Sequence, residues 1–221
     1  DGDGGDDLIA GDTAGYINFV ENIGYFEGLP IWAPPVYLDA GGERIRIQAG
    51  TNGGIQGPCE AKWGYTAPAV GDWDMDGDAD LMLNSIWGEV LWYENIGTTT
   101  APELAAARPV EVLPVGEPKK PAWFWWEPKG NQLVTQWRTS PCIGDMTGDG
   151  KTDLVILDHE GYLALFEGVI AYEGGVVEDL TSSRIGIDPN AEGKKWVWPG
   201  KRVFLDENGA PLRLNDGWAG K

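Results

Sequence analysis

One short pattern recurs along the chain at a fixed interval and limits the fold more than any other sequence feature. The pair Asp80-Leu81 has counterparts at Asp7-Leu8 and Asp153-Leu154, each 73 residues from the next. The register extends beyond the pair, because glycines align at 15, 88 and 161 and glutamates at 21, 94 and 167. A period of this length indicates a repeat architecture, in which each unit buries its apolar surface against its neighbours.

The residues before the central pair carry an aspartate at every second position. The nine residues Asp72–Asp80 place acids at loop positions 1, 3, 5, 7 and 9, with Gly77 at position 6. Five like charges in a short turn are unfavourable without a counter-ion, whereas calcium accepts about six to eight oxygen ligands. An acidic turn without an ion is the simpler alternative. We predict a calcium site with side-chain ligands from Asp72, Asp74, Asp76 and Asp80 and a backbone carbonyl from Asp78.

A helical EF-hand is the nearest alternative to this loop. It shares the opening Asp-x-Asp-x-Asp-Gly but needs a bidentate glutamate at position 12. Position 12 counted from Asp72 is Leu83. An acid at position 9 followed by apolar residues instead indicates a loop that leads into a β-strand.

The other two copies of the loop are variants of the central one. The first opens at loop position 3, so we expect an incomplete site with ligands from Asp1, Asp3 and Asp7. The third, Asp145–Asp153, has a threonine at position 3 and a lysine at position 7, so it carries less negative charge. We expect weaker calcium binding there, at Asp145, Thr147, Asp149, Lys151 and Asp153.

Each unit is expected to form four antiparallel strands. In the central unit these are Tyr65–Gly71, Asp80–Ser85, Glu89–Glu94 and a fourth near Val110–Leu113. Four strands per repeat are typical of a propeller blade, and propellers have about four to eight blades. A partial further unit at 196–221 is expected after an insertion within Thr181–Lys195. We therefore predict an all-β fold in which 1–221 form an arc of about three four-stranded blades, cut at both ends, of a larger propeller.

Composition restricts the function classes. The chain of 221 residues contains 33 glycines, 15 prolines and 12 tryptophans, which favours short strands and turns. A formal net charge of −19 argues against a nucleic-acid partner, whose binding needs a basic face. The excess acid lies mainly in the first half, so a cationic subsite for an acidic ligand is expected from the second. No apolar run is long enough for a membrane span, and Cys59 and Cys142 permit one disulfide.

The loops ending Asp80-Leu81 and Asp153-Leu154 are each followed by a hairpin, ending Tyr93-Glu94-Asn95 or Phe166-Glu167-Gly168, and resemble the FG-GAP/VCBS repeat family. The resemblance implies a calcium-bound β-propeller in a secreted, periplasmic or cell-surface protein. The family includes integrin-like adhesion heads, bacterial lectin-like proteins and polysaccharide-degrading enzymes. The long tryptophan-rich units, with Gln136–Thr139 and Asp158–Tyr162, are most similar to bacterial VCBS proteins linked to rhamnose- and uronate-containing glycans. This similarity transfers no catalytic residue.

Three residues are candidates for catalysis on such a glycan. His159, the only histidine, could act as a general acid or base near neutral pH. Arg138 could bind a uronate carboxylate in bidentate fashion, and Tyr65, 73 residues earlier, could transfer a proton in β-elimination. The competing interpretations are a surface turn residue for His159 and a packed or ion-paired strand residue for Arg138.

The densest aromatic run, 123–126, supplies the candidate substrate-binding residues Trp123, Trp125 and Trp126. Sugar rings stack on such faces, although aromatic side chains are equally suited to packing between blades. The functional hypothesis is a calcium-binding propeller segment of a secreted bacterial carbohydrate-active protein, either a polysaccharide lyase or a glycoside hydrolase. Its partners are an acidic glycan and the remaining blades of the same parent chain. The alternative is a non-catalytic adhesion or glycan-binding module whose calcium is purely structural.

Overall fold

The structure, a computed structural model, describes residues 2–51, 59–112, 126–172, 194–197 and 202–214, with backbone alone for 169–172 and 194–197. Within these ranges the chain forms short β-strands and a single 3-10 turn at Glu60–Lys62, so the all-β prediction is confirmed. The strands are β1 (Leu8–Gly11), β2 (Ile17–Val20), β3 (Asn22–Phe26), β4 (Leu29–Trp32), β5 (Val36–Tyr37), β6 (Asp39–Ala40), β7 (Glu43–Arg44), β8 (Ala67–Gly71), β9 (Asp80–Asn84), β10 (Leu91–Tyr93), β11 (Arg108–Pro109), β12 (Cys142–Gly144), β13 (Asp153–Leu157), β14 (Leu163–Phe166), β15 (Val169–Tyr172), β16 (Lys194–Val197) and β17 (Arg202–Val203).

Three antiparallel sheets follow one another along the chain. Sheet 1 has the order β1-β2-β5, sheet 2 the order β11-β10-β9-β8, and sheet 3 the order β12-β13-β14-β17. The strands that open with the repeated acid, β9 and β13, occupy the same place in sheets 2 and 3, and β1 follows the same acid in sheet 1. The 73-residue period therefore corresponds to successive small sheets. A closed ring of blades remains a prediction.

Hairpins of different length separate the last two strands of each sheet. Sheet 1 carries β3–β4 at this point and sheet 3 carries β15–β16. Sheet 2 has a shorter excursion, held by bridges between Asn95 and Leu104 and between Thr98 and Ala101. Since β15 stands 146 residues after β3, the extra length of sheet 3 lies between β15 and β16, where residues 173–193 are outside the described ranges, and the insertion expected within Thr181–Lys195 stays a prediction. The connection in sheet 3, from β14 to β17, is the longest of these three.

The outer strands differ in detail from the expectation. In sheet 2 the fourth strand is Arg108–Pro109, two residues before the predicted start. Arg108 stacks on the ring of Trp92, 4.2 Å from its centroid, and pairs with Glu94, so its contacts with the neighbouring strand fix this register. In sheet 3 residues 202–203, assigned from the sequence to a partial further unit, pair with β14 as the outer strand.

Two apolar cores lie between consecutive sheets. The first joins sheets 1 and 2 and contains Ile17, Ala40, Ile45, Leu81, Leu83 and Tyr93. The second joins sheets 2 and 3 and contains Trp73, Met82, Val90, Val110, Leu133, Leu154, Ile156, Ala164 and Phe166. Because side chains alternate between the two faces of a strand, Met82 enters the second core while its neighbours in β9 enter the first. Sheet 2 is therefore apolar on both faces and packs between the other two.

Two further expectations concern the surface. Cys59 and Cys142 are exposed free thiols, so the disulfide that two cysteines permit is not formed. Within the part of the chain that the structure describes, no helix has the length and apolar character needed to cross a bilayer.

Candidate metal centre

The central acidic loop joins β8 to β9 in sheet 2, and its aspartates form the turn. Both oxygens of Asp72 accept backbone N–H groups at 3.0 Å, one from Asp76 and one from Gly77. Asp76 in turn accepts the N–H of Asp78 at 2.9 Å. Gly77 has φ of 100°, in the left-handed region that only glycine adopts without steric cost. The alternating acids and the glycine therefore make the chain curl around a common centre.

Three of the predicted ligands meet at that centre. Asp72, Asp74 and Asp76 each offer a carboxylate oxygen, and these oxygens lie within 4.8 Å of one another. Oδ1 of Asp74 is buried and has no hydrogen-bond partner. Burial, together with the negative charges of Asp80 and Asp76, raises the pKa of Asp74 to about 7. A buried carboxylate oxygen without a donor is costly unless a cation is bound, so this arrangement fits a metal ion held by oxygen ligands.

Asp80, at loop position 9, anchors the loop to the sheet. Its side chain is buried, and its two oxygens accept the N–H of Trp73 at 3.0 Å and of Asn95 at 2.7 Å. Burial raises the pKa of Asp80, and these two donors oppose the shift. The carboxylate of Asp78 accepts the hydroxyl of Thr99, and coordination of the ion by its backbone carbonyl remains a prediction. The loop therefore contains three acids at the centre, one that anchors the loop and one whose side chain bonds to Thr99.

The anchoring contact of Asp80 recurs in every copy of the repeat. Asp7 accepts the N–H of Asn22, and Asp153 accepts the N–H of Gly168, both at 2.9 Å and both across 15 residues. Each contact ties the last residue of an acidic loop to the residue two positions beyond the end of the following hairpin. Sequence reasoning assigned these acids only to metal binding and missed this role. The signal was present, because the acceptor acid and the residue that donates its N–H recur together at the repeat period.

The third loop carries a positive charge, Lys151, at the position that Asp78 occupies in the central loop. Lys151 forms an ion pair with Asp149. Burial acts to raise the pKa of Asp149, but the contacts with Lys151 outweigh it and the pKa is lowered. Asp145 accepts three backbone N–H groups, from residues 148, 149 and 150, and Asp153 accepts that of Thr147 at 3.0 Å. Among the described residues, the three-carboxylate group forms in the central loop, and calcium in the third loop remains a prediction.

The first loop is described only in part. Asp1 lies outside the described residues. Asp3 accepts the N–H of Gly5 at 2.7 Å, a local turn contact, and Asp7 forms the anchoring bond to Asn22. The incomplete site expected here therefore remains a prediction.

The candidate catalytic residues lie at the opposite end of sheet 2 from the acidic loop. The N–H of Arg138 donates to the carbonyl of Ser85, the residue after β9, and five residues of strand separate Asp80 from Ser85 by about 17 Å. The guanidinium of Arg138 lies 3.8 Å from the centroid of the Tyr65 ring and pairs with the buried carboxylate of Glu60. Sequence reasoning placed Arg138 and Tyr65 at equivalent positions, and the structure brings them into contact.

Both residues have an unusual backbone conformation. The φ angle is 50° at Tyr65 and 58° at Arg138, which is uncommon for residues other than glycine. Trp63 packs edge-on against Tyr65 with ring centroids 5.7 Å apart, and it is partly exposed. The end of the molecule thus carries an arginine held by an aromatic ring and a carboxylate, next to an accessible indole.

Tryptophans extend this surface across the ends of sheets 1 and 2. The indole N–H of Trp87 donates to the carbonyl of Gln48 at 3.0 Å, and that of Trp126 donates to the carbonyl of Trp87 at 2.9 Å. Each ring is therefore fixed in orientation. We call Trp63, Tyr65, Trp87, Trp126 and Arg138 the tryptophan end. Of the predicted sugar-stacking residues, Trp123 and Trp125 lie outside the described ranges.

His159 occupies the turn after β13, and it is partly buried. Its carbonyl accepts the side-chain amide of Gln136 at 2.7 Å, two residues before Arg138 in sequence. The structure therefore connects His159 to the tryptophan end through this short segment. A role in proton transfer remains a prediction.

Comparison with protein-family models, curated proteins and solved structures finds no match to this chain.

Proposed function

We propose that the chain is a calcium-binding β-repeat scaffold in which the ion holds the central acidic loop. The observation that carries the proposal is the buried, unpartnered Oδ1 of Asp74 beside the carboxylates of Asp72 and Asp76. Bound calcium would supply positive charge that offsets the repulsion among these groups. The loop connects the first two strands of sheet 2, which packs against both neighbours, so fixing it stabilises the centre of the molecule.

Calcium suits this loop better than other common metals. The available donors are carboxylate and backbone oxygens, which hard cations prefer, whereas zinc and copper favour nitrogen and sulfur. Magnesium requires near-ideal octahedral geometry, while calcium tolerates the irregular geometry of a short flexible loop. Asp72, Asp74 and Asp76 would hold the ion. Both Asp80 oxygens accept backbone donors, which makes Asp80 the anchor of the site.

We also infer that the three sheets are consecutive blades of a propeller of the FG-GAP/VCBS type. Support comes from the stacking of antiparallel sheets face to face, with an apolar core between each consecutive pair. The equivalent place of β9 and β13 adds to this, because blades of a ring share one strand order. A propeller of this type would belong to a secreted or surface-exposed protein.

Chelation tests the structural role of calcium. A ligand present at 100 times its dissociation constant stabilises a folded protein by about 2.7 kcal/mol. For a chain of this size that corresponds to a rise in melting temperature of roughly 5–11 °C. We expect EDTA to lower the melting temperature by this amount and added calcium to restore it. An unchanged melting temperature, together with no heat of calcium binding in titration calorimetry, would contradict the proposal.

The second candidate function is binding of an acidic glycan at the tryptophan end. Arg138 favours it, because its guanidinium is fixed by Tyr65 and Glu60 while its side chain stays 42% exposed. A preorganised cation next to fixed indole rings loses little conformational freedom on binding a uronate-containing sugar. The guanidinium of Arg138 already pairs with the carboxylate of Glu60 and stacks on the ring of Tyr65. These contacts hold both candidate catalytic side chains in place, which favours a binding module over a lyase or hydrolase.

Matched glycans and variants test this second candidate. We expect uronate-containing oligosaccharides to bind more tightly than neutral ones, and Arg138→Gln to remove the difference. Tyr37, which stacks under Arg44 elsewhere on the surface, provides a matched arginine–aromatic pair, so Arg44→Gln should leave binding unchanged. Equal binding of acidic and neutral sugars by the wild type would exclude the proposed role of Arg138. Formation of unsaturated or reducing-end products would restore the enzyme hypothesis.

A further inference from the structure

The two internal cores show which apolar residues of a sheet face the sheet before it and which face the sheet after it. In sheet 2, Leu81, Leu83 and Tyr93 face sheet 1, whereas Met82 and Val90 face sheet 3. In sheet 3 the residues 73 positions later, Leu154, Ile156 and Phe166, face sheet 2 in the same way. Each sheet therefore has a leading face toward the sheet before it and a trailing face toward the sheet after it.

The leading face of sheet 1 follows the same pattern but is open. Its members are Leu8, Ala10 and Val20, which stand 73 residues before Leu81, Leu83 and Tyr93. Leu8 is 48% exposed, whereas Leu81 is 3% exposed, and Ala10 is exposed where Leu83 is fully buried. Ile9, on the other side of β1, packs against the first core. The difference in exposure is thus restricted to the side that has no neighbouring sheet.

The trailing face of sheet 3 is the complementary surface, and it is covered only in part. Val155, Leu163 and Leu165 stand 73 residues after Met82, Val90 and Trp92. Met82 and Val90 are fully buried against sheet 3, and Trp92 packs on the same core, whereas their counterparts in sheet 3 are only partly buried. Among the described residues, the leading face of sheet 1 is therefore exposed and the trailing face of sheet 3 is incompletely covered.

We propose that a second copy of this chain docks the trailing face of its sheet 3 onto the leading face of sheet 1. The occupant follows from the molecule itself, because the same two kinds of face already meet twice within the chain in the same register. Such an interface is heterologous, so each copy keeps one unused face, and assembly continues until the ring closes or extends into a filament. The net charge of −19 opposes this association, so it should strengthen as salt screens the repulsion.

Association of the full chain with calcium present tests the proposal. We expect light scattering after size-exclusion chromatography to show a concentration-dependent mass above the 24.0 kDa of one chain. Leu8→Lys should return the protein to a monomer, and because Leu8 is half exposed the variant should keep its fold. The matched control is Ile96→Lys, since Ile96 is 57% exposed on the excursion of sheet 2 and belongs to neither of the two faces.

The heterologous geometry gives a sharper test with two variants. Leu8→Lys blocks the leading face and Leu165→Lys the trailing face, so each variant alone should be monomeric. In a mixture, the intact trailing face of the Leu8→Lys variant can dock onto the intact leading face of the Leu165→Lys variant. The two remaining faces of that pair are both blocked, so the mixture should form dimers and nothing larger. A monomeric wild type up to about 100 times the concentration used for chromatography, or association that Ile96→Lys abolishes and Leu8→Lys spares, would overturn the proposal. Restored dimers in the mixture would also exclude misfolding as the reason for the monomers.

Discussion

Replacing Asp74 by asparagine should change stability in opposite senses with and without calcium. In the metal-free protein the substitution removes a partly buried charge from a group of three carboxylates, so the folded state should gain stability. In the presence of calcium it removes a ligand, so the additional stability that calcium provides should shrink. An acidic turn that binds no ion would show only the first of these effects.

The magnitudes follow from the distances in the loop. Two like charges at 4.8 Å, the upper limit for these oxygens, repel by about 3.5 kcal/mol at an effective dielectric constant of ~20, and by about 0.9 kcal/mol in bulk water. Because the loop is partly exposed, we take about 1 kcal/mol per neighbouring carboxylate, or roughly 2 kcal/mol for the two neighbours. At 100 times the wild-type dissociation constant, calcium adds about 2.7 kcal/mol, and a tenfold loss of affinity would reduce this to about 1.4 kcal/mol.

Urea unfolding in EDTA and in calcium measures both effects. Asp78→Asn is the matched control, because it removes the same charge from the same loop at a residue whose carboxylate faces Thr99. We expect this control to retain the calcium-dependent gain in stability. The reasoning is refuted if Asp74→Asn destabilises the metal-free protein and leaves the gain from calcium unchanged.

Three further predictions concern the acidic loops. Because the folded pKa of Asp74, about 7, lies above its unfolded value of 3.8, the metal-free folded state holds an extra proton between these values. The stability of the metal-free protein should therefore fall as pH rises from 3.8 to about 7, as urea unfolding would show. Calcium affinity should rise over the same pH range, as titration calorimetry would show. The double change Thr147→Asp with Lys151→Asp restores the acidic pattern of the central loop and should strengthen calcium binding at the third loop, as measured by calorimetry. Calcium affinity that does not change would contradict the role given to Lys151. Asp80→Ala leaves the buried N–H groups of Trp73 and Asn95 unpaired, each costing about 1–3 kcal/mol. The free energy of unfolding in urea should therefore fall by a similar amount with EDTA and with calcium.

The sequence predicted the repeat, the strand class and the acid-rich loops because these depend on local pattern. The 73-residue spacing placed β9 and β13 in equivalent positions, and Leu83 at position 12 correctly indicated a strand after the loop, where it is fully buried. Alternation along β9 also anticipates which residues enter each core. Such features can be read from sequence because neighbouring residues determine them.

Features that depend on distant partners could not be read in this way. The bond from Asp80 to Asn95 spans a complete hairpin, so the sequence showed two matching positions without showing contact. The partner of Arg138 is Glu60, 78 residues away and outside the aligned repeat positions. The ion pair of Lys151 with Asp149 depends on a side-chain rotamer, and the loop pattern alone assigned both residues to metal binding.

Terbium luminescence tests the central claim most directly. Terbium replaces calcium at oxygen sites and emits strongly when a nearby tryptophan absorbs the exciting light, and Trp73 lies within the loop between Asp72 and Asp74. Terbium bound in the central loop should give tryptophan-sensitised emission that calcium displaces and that Asp74→Asn abolishes while Asp78→Asn retains it. Emission that is absent in the wild type, or that persists unchanged in Asp74→Asn, would show that this loop does not hold the ion.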